Sequence, residues 1–485
     1  MGAPHPHRKH QEAAISRTAS AGRTAPWRWL PPLLALALGL WRLDRGGSMW
    51  RDESVTLQVA RRPLGDLVGL LGQVDAVHGL HYALTHALLP LGEALGLPAP
   101  VALRLPSVLA TALAATGVAA LGHRLAGPRA ALAAGVAYAV LPPVQMYAQE
   151  GRSYALVAAA VVWATYALHR RRWVAYAVLL AVACWLHAFA VLAVLAHAVA
   201  GWRLRAWRRC AAAVVACALP LALVGAGQAD RQLGWLGRPS WADWAAYALV
   251  AGLALLLARD ADRDLVRLAL PLVLLPPGLL LAVSLVRPLY VDRYVLYALA
   301  GLALLAGARA RPPAPARPPA RALRPAAALA AALALAGALV PWSLWLRTPD
   351  SRKDDALAVA AAVRDLARPG DAVLFMPARR REWLLSSPGV YDGLTDLALA
   401  ATPTASRTLQ GTELPSDRLR ARLTEAPRVL ALMDPADQPL DAFPREAVKR
   451  QTLAVFFDLC EVRAVHGARV ALYARPGECP SGEIG

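Results

Sequence analysis

About eleven apolar stretches, most of them near the ~20 residues that carry a helix across a bilayer, follow one another over residues 29–346, with short charged turns between them. The first runs from about Trp29 to Leu43. Before it, residues 1–28 hold Arg8, Lys9, Arg17, Arg23 and Arg28 against the single acid Glu12, and they lack the apolar content of a core, as a disordered tail does. No small-residue cleavage site follows Leu43, so the stretch reads as a retained span rather than a secretory signal. Basic residues stay on the cytoplasmic side, so this span leaves the membrane outward.

Its exit opens a long outer loop, residues 44–100, in which Val55–Ala60 and Leu64–Leu71 show the apolar spacing of helices lying in the interface plane. A second span, about Val101–Leu121, returns to His123, Arg124 and Arg129. The third reaches about Pro143, Gln145–Tyr154 turns outside, and the fourth descends to Arg170-Arg171-Arg172. The run from Trp173 to Trp202 is too long for one span and too short for two full ones, and it splits at His187. A seventh span covers about Ala211–Ala226. An external loop with Asp230, Arg231, Trp235, Trp241 and Trp244 leads to an eighth that ends at Arg259. The ninth covers Leu268–Val286, and the tenth follows the outer segment Arg287–Tyr294. Residues 309–325, dominated by Arg, Pro and Ala, form an internal loop, and a last span, about Ala326–Leu346, emerges outward.

Beyond Arg347 the pattern changes. Helical spacing over 354–367, strand-like runs at 371–376 and 428–433, and a hairpin over 462–474 predict a small α/β domain outside the membrane, with no Gly-rich phosphate loop after any strand. The expected division is a basic cytoplasmic tail (1–28), a polytopic α-helical membrane domain (29–346) and an extracytoplasmic α/β domain (347–485).

Composition agrees with that class: 57% hydrophobic residues and a mean hydropathy of +0.39 exclude an ordinary soluble domain. The formal net charge of +19 falls wholly in residues 1–346, where it marks topology rather than a nucleic-acid surface. Richness in Arg, Ala and Leu reads as a high-GC bacterial genome, hence a bacterial plasma membrane. Cys184, Cys210 and Cys217 lie in apolar stretches as small buried hydrophobes. Cys460 and Cys479 would be free to pair in an oxidising compartment.

The topology gathers one set of polar groups on the outer side: Asp52 and Glu53, Asp75, His78 and His81, Gln149 and Glu150, Arg152 and Tyr154, His187, and Asp292-Arg293-Tyr294. Carboxylates and arginines at a membrane surface suit transfer of a group from a lipid phosphate to an acceptor hydroxyl or amine. A carboxylate such as Asp52 accepts the acceptor's proton, and the planar fork of Arg152 or Arg293 meets the departing phosphate. His78, His81 and His86 read as interfacial anchors rather than as a metal cluster; no metal ligands are assigned, and a divalent metal requirement is left open. The Arg-rich internal loops contact lipid headgroups.

In order along the chain, Trp50-Arg51-Asp52-Glu53, Val77-His78-Gly79-Leu80-His81-Tyr82, Arg104-Leu105-Pro106-Ser107, Gln149-Glu150-Gly151-Arg152-Ser153-Tyr154, Leu186-His187-Ala188-Phe189 and Asp292-Arg293-Tyr294 resemble the motifs of the GT-C membrane glycosyltransferases of the protein-O-mannosyltransferase and aminoarabinose-transferase type, the family 39 or Rgt-like group. The match spans about residues 29–346. It departs at Gly79, where the family has proline, and at Gly151, where it has alanine. The resemblance implies a GT-C fold, a polyprenyl-phosphate-linked sugar as co-substrate with no further cofactor, an extracytoplasmic site, and inverting transfer of a sugar such as mannose to a glycan, lipid or protein. Asp52 carries over as base, Glu53 as its neighbour or substitute, and Arg293 as a donor-phosphate ligand. A transporter or lipid flippase is the alternative reading of the same topology, although the halves show no internal repeat.

The topology makes the first prediction. A reporter fused after Glu483 should be active only outside the cell, and activity in the cytoplasm would move the polar cluster to the wrong face.

Overall fold

Each of the eleven expected stretches contains a helix in the computed structural model, which describes residues 25–233, 237–310, 337–441 and 443–479. The tail before residue 25, most of the Arg-Pro loop 309–325, the first part of the last span, Trp235 and the side chains of Asp230 and Arg231 lie outside the described residues. The helices are α1 (Leu30–Leu40), α2 (Arg51–Arg61), α3 (Leu64–Leu71), α4 (Gly79–Ala94), α5 (Ala99–Ala126), α6 (Pro128–Val140) and α7 (Pro142–Ala148). They continue with α8 (Tyr154–His169), α9 (Trp173–Leu186), α10 (Leu192–Gly201), α11 (Arg205–Leu233), α12 (Trp241–Ala258), α13 (Arg263–Val283) and α14 (Ala298–Ala308), and residues 337–345 form α15.

The spans are unequal. Among the described residues α5, α11, α12 and α13 are long and apolar enough to cross a membrane alone, and α6 with α7, bent by 63°, makes a fifth. Helices α8, α9, α10 and α14 are shorter; the 11 residues of α14 advance only ~16 Å against a hydrocarbon core of ~30 Å. Polar turns take the place of the missing length. Helix α8 begins only after Ser153, α9 stops at His187, and α14 follows the 3-10 turn Asp292–Val295. The split expected at His187 is present, with its backbone extended there.

Alanine and glycine let the helices approach closely, as packing in lipid favours. A Cβ on Gly301 would lie 2.4 Å from the Ala269 carbonyl, and one on Gly307 would lie 2.5 Å from the Ala134 Cβ. Cys184 is buried in this core, whereas Cys210 is half-buried and Cys217 exposed. The expectation of three buried thiols therefore fails at Cys217.

Helix α2 turns its apolar residues against the rest of the protein. Its Val55 and Val59 are buried with Leu70, Tyr82 and the tail residue Leu385. The tail thus covers part of this helix's apolar face.

The tail is a mixed α/β layer. Its longer helices are α16 (Ala356–Leu366), α17 (Ser416–Glu425) and α18 (Pro444–Phe456). Its strands are β1 (Ala372–Met376), β2 (Thr395–Asp396), β3 (Leu399–Ala401), β4 (Thr412–Glu413), β5 (Arg428–Met433), β6 (Asp458–Val465) and β7 (Ala468–Ala474). The main sheet has the order β2-β1-β5-β7-β6, parallel at β2-β1-β5 and antiparallel at β5-β7-β6. Strand alternation sends Val373 and Phe375 to the α16 side and Leu374 to the side of α17 and α18. The strands expected at 371–376 and 428–433 and the hairpin are present, and Cys460 and Cys479 are joined in a disulfide with a Cα separation of 5.3 Å.

The tail is tied to the start of α2. Asp354 Oδ1 accepts from the Arg51 N–H at 2.8 Å, Asp355 Oδ1 accepts from the Met49 N–H at 3.4 Å, and the Ala356 N–H donates to the Met49 carbonyl at 2.7 Å. An N-terminal backbone donor of the helix is thus satisfied by an acid about 300 residues away in sequence.

Candidate active site

Successive residues on a helix point about 100° apart, so the adjacent carboxylates of α2 diverge. Glu53 turns inward. Its carboxylate accepts from Arg104 at 2.8 and 2.7 Å, from Arg45 at 2.5 Å and from the Gly151 N–H at 3.1 Å, and both arginines and Glu53 are fully buried. Arg104 also donates to the carbonyls of Leu43, Asp44 and Ser48. Burial would raise the Glu53 carboxyl, but Arg104 and Arg45 outweigh it and hold the group at about 2.

Asp52 instead faces a cavity of about 820 Å³ between the helices and the tail. Arg293 Nη2 lies 3.6 Å from one of its oxygens and Arg51 Nη2 3.9 Å from the other. Burial raises the Asp52 carboxyl, yet Arg152, Arg293 and Arg51 together keep it below the ordinary carboxylate range.

The other expected residues divide in the same way. Arg152 donates to Thr56 Oγ1 at 3.2 Å and meets His78 Nε2 at 3.0 Å, an arrangement in which the imidazole accepts; burial and then Arg152 keep His78 well below its usual pKa. Tyr154 Oη accepts from Arg293 Nε at 3.0 Å. The rings of His187 and Tyr294 lie 4.5 Å apart, and Phe189 stacks on Tyr294. Asp75, in the left-handed region at φ 59°, accepts from the Tyr82 hydroxyl at 2.7 Å. All of these side chains line the cavity except Tyr82 and Thr56. Glu150 does not. It is buried against Arg352 Nε at 2.9 Å, so Glu53 and Glu150 hold the walls together; eight of the thirteen residues expected on this side face the space, and His81, Gln149 and Asp292 do not line it.

His78, His81 and His86 do not converge. His81 Nε2 meets the Gly151 carbonyl and His86 Nδ1 the Ala60 carbonyl. Among the described residues no group of three or more His, Cys, Asp or Glu is placed to hold a metal ion. Gly151 is where the motif departs from alanine, and a Cβ there would lie 2.3 Å from Leu103 Cγ. The departure is a close approach between this turn and α5.

Sequence reasoning missed the tail's side of the cavity. Lys353, Asp354, Arg379, Arg380 and Glu382 line it, as do Trp50 and Arg51 beside Asp52. The available signal was charge, in Arg352-Lys353-Asp354-Asp355 directly after the last span and in Arg379-Arg380-Arg381-Glu382, but neither run carries a recognisable motif.

A polytopic helical bundle with short spans around an acidic turn, capped by a mixed α/β tail, is a GT-C-like membrane fold. The chain is similar to ArnT from Cupriavidus metallidurans in two crystal structures. To the form bound to undecaprenyl phosphate it is 14% identical, with a TM-score of 0.59, 95% of this chain covered and 100% of that one. To the apo form it is 15% identical, with a TM-score of 0.57 and coverage of 94% and 98%. No family model and no curated protein matches the chain.

The two carboxylates should separate by experiment. Glu53→Gln leaves Arg45 and Arg104 buried without their countercharge and should destabilise the folded protein by about 3–5 kcal/mol, read as a lowered melting temperature in detergent. Asp52→Asn, at loosely paired distances, should cost about 1 kcal/mol or less. Because the Glu53 pKa is depressed, its stabilisation is complete above the ordinary 4.5 and is lost as pH falls towards about 2. Equal melting shifts for the two variants would contradict this division.

Proposed function

We propose that the protein is an integral membrane glycosyltransferase that moves a sugar from a polyprenyl-phosphate donor to an extracytoplasmic acceptor, with inversion at the anomeric carbon. The observation that carries this reading is the pairing of Asp52 with Arg293 at 3.6 Å on the wall of one cavity. Arg152 and Tyr154 stand beside it, and Ala222, Gly225, Ala226 and Ala229 of the long span α11 form an apolar flank. A polar head beside an apolar flank fits an amphiphile such as a lipid phosphate. The ArnT structure of the same fold holds undecaprenyl phosphate, which supports a donor of that kind.

In this mechanism Asp52 takes the proton of the acceptor hydroxyl or amine as its oxygen or nitrogen forms a bond to the anomeric carbon. The bond from that carbon to the phosphate oxygen breaks, and the electron pair leaves with the polyprenyl phosphate. Arg293 and Arg152 meet the charge of the departing phosphate. A single displacement inverts the centre. Asp75, His78, His187 and Tyr294 shape the sugar and acceptor side, mannose being one candidate sugar and a glycan, lipid or protein the acceptor. Glu53 and Glu150 position the turns from behind. The Cys460–Cys479 disulfide supports a tail, and with it a cavity, on the oxidising outer side of a bacterial plasma membrane.

Asp52→Asn keeps the shape and removes the base. Membranes carrying it should transfer labelled sugar from polyprenyl phosphate about 10²–10⁴-fold more slowly than the parent, and transfer at the parental rate would strike Asp52 from this role.

A further inference from the structure

Arg51 stands between two carboxylates from distant parts of the chain. Its Nε lies 3.3 Å from Glu382 Oε2, and its Nη2 lies 3.9 Å from Asp52 Oδ1. All three side chains line the cavity. Glu382 belongs to the 3-10 segment Ala378–Ser386, which packs on both α2 and α16. Its neighbours fix it there. Arg380 pairs with Asp354 at 3.2 Å and also with Asp434, Arg381 pairs with Asp396 at 2.5 Å, and Trp383 Nε1 donates to Asp354 at 3.1 Å.

The geometry is a competition for one guanidinium. Without the Glu382 charge, Arg51 would be free to close from 3.9 Å to the ~2.8 Å of a charge-assisted hydrogen bond on Asp52. The carboxylate would then be held as an ion pair and be a weaker proton acceptor. We propose that Glu382 is a positioning residue, holding Arg51 off Asp52 so that Asp52 remains available as a base. The inference rests on the reading of Asp52 as base, and it gives the tail a part in the reaction.

The charges around the pair fit this role. Asp52 faces Arg51, Arg152, Arg293 and Lys353, while Glu382 faces Arg51, Asp52, Asp75 and Asp354. Burial pushes the Glu382 carboxyl up to about 7, with Arg51 opposing and the three acids adding to the rise. A fall in pH through that region neutralises Glu382 and releases Arg51 to Asp52.

Two arms test the proposal on the full-length protein. In the first, carbodiimide labelling of the Glu382 peptide against pH, read by mass mapping in detergent, needs no turnover. Arg51→Gln should raise the labelling midpoint by about one pH unit, and an unchanged midpoint overturns the pair. In the second, the rate of transfer from lipid-linked sugar is followed against pH. The parent should lose rate as pH falls through about 7. Glu382→Gln should stay at the parent's low-pH rate throughout, and adding Arg51→Gln to it should restore rate. A Glu382→Gln profile that keeps the parental fall, or no recovery in the double variant, overturns the positioning role. A parent that transfers nothing, with the labelling arm intact, overturns the glycosyltransferase reading instead. Should Glu382→Gln fail to fold, the Arg51→Gln labelling arm still decides the pair.

Discussion

The buried ion pairs of Glu53 hold four separate parts of the chain in one place. Arg45 comes from the loop after α1, Arg104 from α5, the Gly151 N–H from the turn before α8, and Glu53 itself from the first turn of α2. In a low-dielectric interior such a node is stable only when complete, since any one charge left alone has a large desolvation cost. Its completion fixes the rotation of α2. With Glu53 pinned inward, the neighbouring Asp52 has to face the cavity, and the turn carrying Arg152 and Tyr154 is brought alongside it.

The tail closes what this node begins. Asp354 and Asp355 bond the backbone at the start of α2, and the segment Ala378–Ser386 covers the face of that helix. Short spans on the same side leave room, because α8, α9 and α14 end in polar turns rather than in further apolar residues. The cavity is therefore framed by a membrane wall with an apolar flank, by an arginine and tyrosine wall, and by a charged wall from the tail. Those surfaces are the ground on which the proposal of a lipid-phosphate donor and a polar acceptor rests.

That the chain carries several apolar spans was legible in the sequence because hydropathy depends on local composition. His187 was recognisable as a break for the same reason. The strands at Ala372–Met376 and Arg428–Met433 were legible as short apolar runs. What local pattern could not reveal was coverage. The apolar face of helix α2 was legible as a pattern, but not that a tail more than 300 residues away packs on it. The same limit hid the inward orientation of Glu53 and Glu150, which sit in motifs beside Asp52 and Arg152 but are buried. It hid Glu382 altogether, since its significance depends on Arg51 and not on any neighbour in sequence.

A glycosyltransferase and a flippase differ in whether this cavity breaks and makes a glycosidic bond or merely passes a lipid across the membrane. The most direct measurement supplies membranes of the parent protein with polyprenyl phosphates bearing labelled sugars and follows both products. A glycosyltransferase should release free polyprenyl phosphate and leave the label on an acceptor, in the anomeric configuration opposite to that of the donor. Intact donor found only on the other leaflet, or label transferred with its configuration retained, would contradict it.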